Sequence, residues 1–176
     1  MNHIKIITDK DFNIKPTKLK KAITRYAARG IVIRDDGKIA ILNKIVKQEY
    51  KLPGGGVEEN ESIEETFKRE ILEETGCYVE ITDMLGSIKE IKKLENFVQI
   101  SYIFVGKVIK NTNKLKLTQK EKDEGGQLLW VTIEEALNLI SNCYNVLKAS
   151  KYESLYHSRF IVLRDKYILE YYLKQK

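Results

Sequence analysis

Three glutamates, Glu70, Glu73 and Glu74, recur at helical spacing in the segment GGGVEENESIEETFKREILEETG. At about 100° per residue, side chains three and four positions apart lie on one side of a helix, so these carboxylates share a face. Like charges at this spacing repel one another, which predicts a compensating cation. Carboxylate oxygens are ligands that Mg²⁺ prefers, and the ion commonly keeps waters and substrate phosphates in its shell. The segment therefore predicts a divalent-metal site suited to phosphate chemistry.

Local signals place these glutamates on a helix that follows a glycine loop. Ser62 with Glu65 three residues later forms a capping box, so the helix begins near Ser62, and Gly76 is a typical stop. Just before it, the run 54–56 consists of glycines, whose missing side chains allow a close approach to the backbone. A solvated acidic face would explain the glutamates alone, but it leaves the glycine run, the cap and Arg69 unexplained.

Residues 55–77 resemble a complete Nudix box. The matching positions, with their spacing, are Gly55, Glu61, Arg69-Glu70-Ile71, Glu73-Glu74 and Gly76-Cys77. The resemblance implies an α/β/α sandwich with a mixed β-sheet, and the apolar pattern near the end of the chain adds a C-terminal helix. It also implies a hydrolase that uses Mg²⁺ or Mn²⁺ and cleaves a nucleoside diphosphate linked to another moiety.

The resemblance assigns roles to single positions of this chain. It implies that Glu70, Glu73 and Glu74 bind the metal, with the Gly54 carbonyl as a further ligand. Arg69 would hold the box glutamates in place. The residues that would shape the box are Gly55, Glu61 and Gly76.

Two carboxylates compete for the role of general base in this resemblance. One is Glu70, and the other is an acid in the loop before a late strand, for which Glu124 in KDEGGQLLWV is the best match. Glu121 and Asp123 are rivals for the second position. A base near the metal would accept the proton of the attacking water.

Two basic residues near the box are candidates for phosphate contacts. Arg29 lies in the predicted hairpin and Lys51 precedes the sequence LPGG. Either could instead be an ordinary exposed basic side chain.

The resemblance leaves the substrate open. A nucleotide such as a (d)NTP, or another nucleoside diphosphate derivative, is the default expectation. A non-catalytic nucleotide sensor and an RNA 5′-end pyrophosphohydrolase are the alternatives, although a sensor usually loses box glutamates and none is lost here. An isopentenyl diphosphate isomerase fits poorly, because that enzyme needs a histidine-rich metal site and the chain has two histidines.

Composition narrows the class of protein. The net charge of +6 allows polyanionic partners, but the lysines are scattered without interleaved aromatic residues, so nucleic acid is not favoured. Two cysteines are too few for a disulfide framework. The chain contains neither a long apolar run nor a leader-like N-terminus, which predicts a cytoplasmic protein without a membrane segment.

The remaining patterns predict the elements that position the box. Asp36-Gly37 between two apolar runs in residues 25–43 predicts a β-hairpin. The other predicted elements are strands at 4–8, 79–91, 97–109 and 127–132, and helices at 133–140 and 151–173. We expect one domain over residues 1–176, with a C-terminal helical extension at about 150–175 that packs on the domain, or serves as a dimer contact or a lid.

Overall fold

The computed structural model of the protein describes residues 3–15 and 17–176. Its strands are β1 (His3–Thr8), β2 (Ile23–Ile33), β3 (Ile39–Lys44), β4 (Glu49–Lys51), β5 (Gly54–Gly56), β6 (Cys77–Lys92), β7 (Phe97–Asn111) and β8 (Gly126–Val131). Its helices are α1 (Ile63–Thr75), α2 (Gln119–Asp123), α3 (Ile133–Cys143) and α4 (Leu155–Gln175). Short 3-10 turns occur at Asp9–Phe12, Ile45–Lys47 and Lys93–Glu95.

The eight strands form one mixed sheet. Its main path runs β1-β6-β7-β2-β3-β4, while β5 pairs with β2 and β8 pairs with β3. Strand β1 is parallel to β6 and β2 is parallel to β7, whereas β6 and β7 are antiparallel. The expected mixed sheet is confirmed.

The predicted hairpin is present, and the strands predicted at 79–91 and 97–109 form a second one. Strands β2 and β3 are antiparallel, and Gly37 in their connection has φ 79°, a conformation that a residue with a side chain rarely adopts. Strands β6 and β7 are joined by the short turn at Lys93–Glu95. Because the predicted strands were read from local alternation and turn chemistry, their bounds differ from the observed ones by only a few residues.

Helices cover both faces of the sheet, as the sandwich requires. Successive side chains of a strand point to opposite faces, so Ile31 enters one apolar cluster and Val32 the other. The first cluster receives Phe160 and Leu169 from α4, and also residues of α3. The second receives Phe67 from α1. The α/β/α arrangement is therefore confirmed.

Helix α1 has the predicted ends. The Glu65 N–H donates to the Ser62 Oγ at 3.2 Å, and the Ser62 N–H donates to the Glu65 carboxylate at 2.8 Å. Gly76 follows its last residue as the C-terminal cap. This doubly satisfied start fixes the register of the box carboxylates along the helix.

The predicted C-terminal helix is present but begins later than expected. Its first residue is Leu155 rather than Lys151, because Ser154 caps the helix by accepting from the His157 N–H at 3.0 Å. The short elements β4, β5 and α2 were not predicted. No helix within residues 3–15 and 17–176 has the length and apolar character that a membrane span needs.

Candidate active site

A cavity of about 200 Å³ lies where the glycine strand β5, helix α1 and helix α4 meet. It is lined by four carboxylates, Glu70, Glu74, Glu121 and Glu153. Its cationic side chains are Arg25, Arg29, Lys44, Lys51, Lys120 and Arg164. The cavity therefore offers both oxygen ligands for a cation and positive groups for an anion.

The glycine run lets charged side chains lie against the backbone. Strand β5 pairs with β2, with Gly54 opposite Arg29 and Gly55 opposite Ala28. A Cβ atom at Gly55 would lie 2.3 Å from Oε1 of Glu70, closer than any real contact. The absent side chain therefore makes room for a box carboxylate at the wall of the cavity.

Arg69 connects the parts of the box. Its Nε donates to Oε1 of Glu61 at 2.8 Å, and its Nη1 donates to Oε1 of Glu70 at 2.8 Å. Its Nη2 donates to the Gly56 carbonyl at 3.1 Å. The hydrogen bond from Arg69 lowers the pKa of Glu61 to about 2. Arg69 thus makes the contacts with the box glutamates that its expected role requires.

Glu74 is buried between β4, β5 and the cavity. Its Oε2 accepts from the Gly54 N–H at 2.6 Å, and its Oε1 lies 3.3 Å from the Lys51 Nζ. Burial raises the pKa of Glu74 to about 7 although Lys51 opposes the shift, and Glu121 and Glu70 raise it further. In this structure Gly54 contacts Glu74 through its N–H, whereas the sequence led us to expect a carbonyl ligand.

Glu73 has a different position from the other two box glutamates. Its side chain is 38% exposed and accepts from the Arg69 Nη1 at 3.4 Å. It is not among the residues that line the cavity. The structure therefore brings Glu70 and Glu74 to the cavity and leaves Glu73 at its outer side.

The loop acid of the site differs from the one expected first. The Glu124 side chain is 1% exposed and accepts from the Lys44 Nζ at 2.7 Å and from the Ser150 Oγ at 2.6 Å. Lys44 lines the cavity, whereas Glu124 does not. Glu121 lines the cavity instead and is close enough to Glu74 to raise its pKa. Because Thr118 caps α2 and binds the Glu121 carboxylate at 2.7 Å, that side chain is held on the cavity side.

Arg29 and Lys51 both line the cavity and are both buried. The Arg29 Nε donates to the Ser101 Oγ at 3.2 Å. Burial, with Arg164 nearby, lowers the pKa of Arg29 to about 10, so the group remains protonated at neutral pH. The alternative of ordinary exposed basic residues is wrong for both.

A protein-family model described as NUDIX domain matches residues 24–149. The chain belongs to the Nudix family. This is a family of pyrophosphohydrolases that act on nucleotide derivatives and generally use divalent metal ions. The predicted family is thereby confirmed, and α4 lies beyond the matched residues.

Individual relatives agree with the Nudix fold. Over 60 residues the chain is 37% identical to a MutT-like protein of Streptomyces ambofaciens. The matched residues make up 34% of this chain and 39% of that relative. A Nudix hydrolase structure from Nitrosomonas europaea is similar with a TM-score of 0.61 and 19% identity, over 88% of this chain and 91% of that one. A MutT protein structure from Methanosarcina mazei is similar with a TM-score of 0.55 and 19% identity, over 89% and 99%. These structures support the fold.

The donor chemistry of the Nudix site fits a hard divalent cation. Glu70, Glu74 and Glu121 supply only oxygen ligands at one cavity, and the pKa of Glu74 is raised by burial first and by the charges of Glu121 and Glu70 in addition. Within the described part of the chain, no three His, Cys, Asp or Glu side chains form a ready group of metal ligands. Arg69 and Lys51 bind Glu70 and Glu74 in this structure, so a bound cation would exchange with these internal partners.

Sequence reasoning missed the part of the Nudix site that α4 supplies. His157, Ile161 and Arg164 of this helix line the cavity, as does Lys120 of α2. The charged pair Arg164-Asp165 lies inside an otherwise apolar helical stripe, and such groups are rarely buried without a partner. This pair was the signal in the sequence that could have pointed to α4 as part of the site.

Proposed function

We propose that this protein is a pyrophosphohydrolase that uses Mg²⁺ or Mn²⁺ to cleave a diphosphate bond in a nucleotide or nucleoside diphosphate derivative, (d)NTPs included. The observation that carries the proposal is the meeting of Glu70, Glu74 and Glu121 with six basic side chains in one cavity. Phosphoryl centres are shielded by their own negative oxygens, so attack requires charge neutralisation and alignment. The cavity holds groups for both tasks.

The metal ligands in this proposal are Glu70, Glu74 and Glu121, with Glu73 able to contribute through water from the outer side. When bound, the divalent cation would supply charge neutralisation at the phosphate oxygens and a more acidic water. Glu74 would bind in its charged form.

Other residues of the chain hold this arrangement and the substrate. Arg69 orients Glu70 while Glu61 holds Arg69, so the carboxylate is positioned before any ligand arrives. Arg29 and Lys51 would bind phosphate oxygens as buried cations at the wall of the cavity.

We propose Glu121 in place of Glu124 as the alternative to Glu70 for the general base. Glu124 is not among the residues that line the cavity, and its two carboxylate oxygens already accept from Lys44 and Ser150. Glu121 lines the cavity from α2. A base must lie within hydrogen-bond reach of the attacking water, and geometry favours Glu121 on that ground.

Several broader expectations belong to the same proposal. We treat residues 1–176 as one Nudix domain in the cytoplasm, with a nucleotide as its small-molecule partner. An RNA 5′-end substrate is an alternative that the substrate panel below tests, and a homodimer through α4 is a separate expectation.

A substrate panel tests the proposal directly. Purified protein is incubated with Mg²⁺ or Mn²⁺ and with (d)NTPs, dinucleotides, nucleotide sugars and capped or triphosphorylated RNA, and the products are identified by mass. We expect turnover of at least one class, complete loss with EDTA, and products that report which phosphate anhydride was cleaved. Tight nucleotide binding in calorimetry without turnover of any class would instead establish a non-catalytic sensor.

A further inference from the structure

Arg164 is a buried cation whose guanidinium group is only partly hydrogen-bonded within the described residues. Its side chain is 1% exposed, its Nε donates to Oδ1 of Asp165 at 2.7 Å, and its Nη1 donates to Oε2 of Glu90 at 3.3 Å. Its Nη2 is buried without a hydrogen-bond partner in residues 3–15 and 17–176. Arg164 also lines the cavity. A buried donor without a partner is costly, so its persistence beside a cavity indicates that a ligand completes it.

Arg29 lies near Arg164 and is short of negative partners. The residue is 5% exposed, and its side chain donates to the neutral hydroxyl of Ser101. It forms no ion pair with any carboxylate of the described chain. A buried charge is normally paired, because removing it from water costs several kcal/mol.

Arg29 and Arg164 belong to a group of buried charged side chains that carries more positive than negative charge. Three cations, Arg29, Lys92 and Arg164, face two carboxylates, Glu90 and Asp165, and all five residues are buried. Within this group the cations outnumber the carboxylates by one, and the further carboxylate that acts on Arg29, that of Glu74, is already paired with Lys51. An anion in the cavity would balance the excess positive charge.

The lining also indicates how a ligand is recognised. Of the described residues that line the cavity, Ile161 is the one aliphatic side chain, His157 is the one ring, and none is Phe, Tyr or Trp. Stacking platforms for bases use aromatic side chains. Recognition inside the cavity therefore rests on charge, and the base of a nucleotide would lie outside it.

We propose that the guanidinium groups of Arg29 and Arg164 form an anion subsite for a phosphate group of the substrate beyond the diphosphate held at the glutamates. The substrate class that follows is a chain of at least three linked phosphates, such as a nucleoside triphosphate, rather than a nucleotide sugar. This inference rests on the proposed function. Helix α4 follows the residues matched by the family model, so Arg164 is contributed by a part of the chain outside that match.

Calorimetric titration with inorganic tripolyphosphate in EDTA at low ionic strength tests the subsite without metal or turnover. We expect the wild type to bind, and Arg29→Gln to weaken binding roughly 10- to 100-fold, since charge-assisted hydrogen bonds to phosphate are lost. The matched control is Arg34→Gln, which removes the same charge at an exposed arginine paired with Asp36. We expect the control to change the affinity by less than about twofold.

Thermal unfolding separates a ligand-binding role from a structural one. Removing an uncompensated buried charge relieves a cost, so ligand-free Arg29→Gln is expected to melt at the wild-type temperature or above it. Tripolyphosphate is expected to raise the melting temperature of the wild type more than that of the variant. Arg164→Lys keeps the charge near Glu90 and Asp165, and we expect it to fold and to bind tripolyphosphate less tightly.

Each remaining outcome decides a part of the proposal. Unchanged tripolyphosphate affinity in Arg29→Gln, or a lower melting temperature of that variant without ligand, overturns the subsite. Equal affinity of the wild type for pyrophosphate and tripolyphosphate overturns the assignment of the subsite to a third phosphate. An affinity for inorganic phosphate equal to that for tripolyphosphate would identify free phosphate as the occupant. If the protein hydrolyses a substrate of the panel but does not bind tripolyphosphate in EDTA, only the subsite is refuted. If it binds tripolyphosphate but hydrolyses no substrate, only the proposed function is refuted.

Discussion

The Lys51 Nζ lies 3.3 Å from Oε1 of Glu74, and both side chains are buried. The contact joins strand β4 to the end of helix α1 and gives Glu74 an internal cation. In the proposed function a divalent cation would be a second counter-charge for the same carboxylate. Lys51 therefore stabilises the metal-free protein at the position where the bound metal would act.

Lys51→Met is expected to lower the free energy of unfolding of the metal-free protein by about 1–3 kcal/mol, because a buried carboxylate loses its partner. Mg²⁺ is expected to restore part of this loss, since a ligand that binds only the folded state stabilises it. Chemical denaturation with EDTA and with Mg²⁺ measures both effects.

The matched control is Lys107→Met, whose lysine is exposed and lies 3.4 Å from Asp35. An exposed pair contributes little, so its unfolding free energy should change by less than about 0.5 kcal/mol. If Mg²⁺ stabilises Lys51→Met no more than it stabilises this control, the shared role of Lys51 and the metal is wrong.

The pH dependence of the unfolding free energy should reveal the raised pKa of Glu74. Its pKa in the folded protein is raised from 4.5 to about 7, so the fold favours the neutral carboxyl. The stability that Glu74 contributes is therefore present below the unfolded value and is lost as the pH rises through about 7. Glu74→Gln lacks this loss, so in EDTA its stability should increase relative to wild type between about pH 5 and pH 8.

Denaturant midpoints of wild type and Glu74→Gln, compared across that pH range, measure the effect. Glu64→Gln on the exposed side of α1 is the control and should run parallel to wild type. A constant difference between wild type and Glu74→Gln at every pH would contradict the raised pKa. With Mg²⁺ and substrate, we also expect Glu74→Gln, but not Glu64→Gln, to lose at least about 100-fold in turnover.

Glu121 and Glu124 can be separated by paired substitutions. Glu121→Gln is expected to lower turnover by about 100-fold or more with little change in melting temperature, because this carboxylate faces the cavity. Glu124→Gln is expected to lower the melting temperature instead, because it breaks the buried contact with Lys44 at 2.7 Å. Steady-state kinetics and thermal melts of both variants give the comparison, and the reverse pattern would return the role to Glu124.

Local signals in the sequence predicted the elements that local chemistry determines. The Asp36-Gly37 turn, the capping box at Ser62 and the stop at Gly76 each involve residues a few positions apart, and each is present in the structure. The box carboxylates followed from these elements, because helical spacing fixes which of them share a face.

The rest of the site depends on long-range packing, which spacing does not contain. Glu121 and Glu124 lie on one short stretch, and only the capped turn of α2 decides that Glu121 faces the cavity. Arg164 lies far along the chain from the box, and its place follows from how α4 crosses the sheet. Glu73 shares the helical face with its neighbours, yet its carboxylate pairs with Arg69 and is not part of the cavity lining.

Gly55→Ala tests whether the glycine loop exists to admit Glu70. A Cβ there would lie 2.3 Å from the Glu70 Oε1 and 2.4 Å from its Cδ, so the carboxylate must move away from the cavity wall. Moving a carboxylate that the proposed function assigns to the metal should lower the rate far more than the stability. We therefore expect at least a 10-fold fall in Mg²⁺-dependent turnover with a melting temperature close to wild type.

Gly37→Ala provides the opposite pattern: nothing lies within 4 Å of its added Cβ, but its φ of 79° strains an alanine. That variant should lose about 1 kcal/mol of stability and keep its turnover, because the hairpin turn is not part of the cavity lining. Wild-type turnover in Gly55→Ala would show that Glu70 does not need its place against β5 and would remove it from the proposed metal ligands.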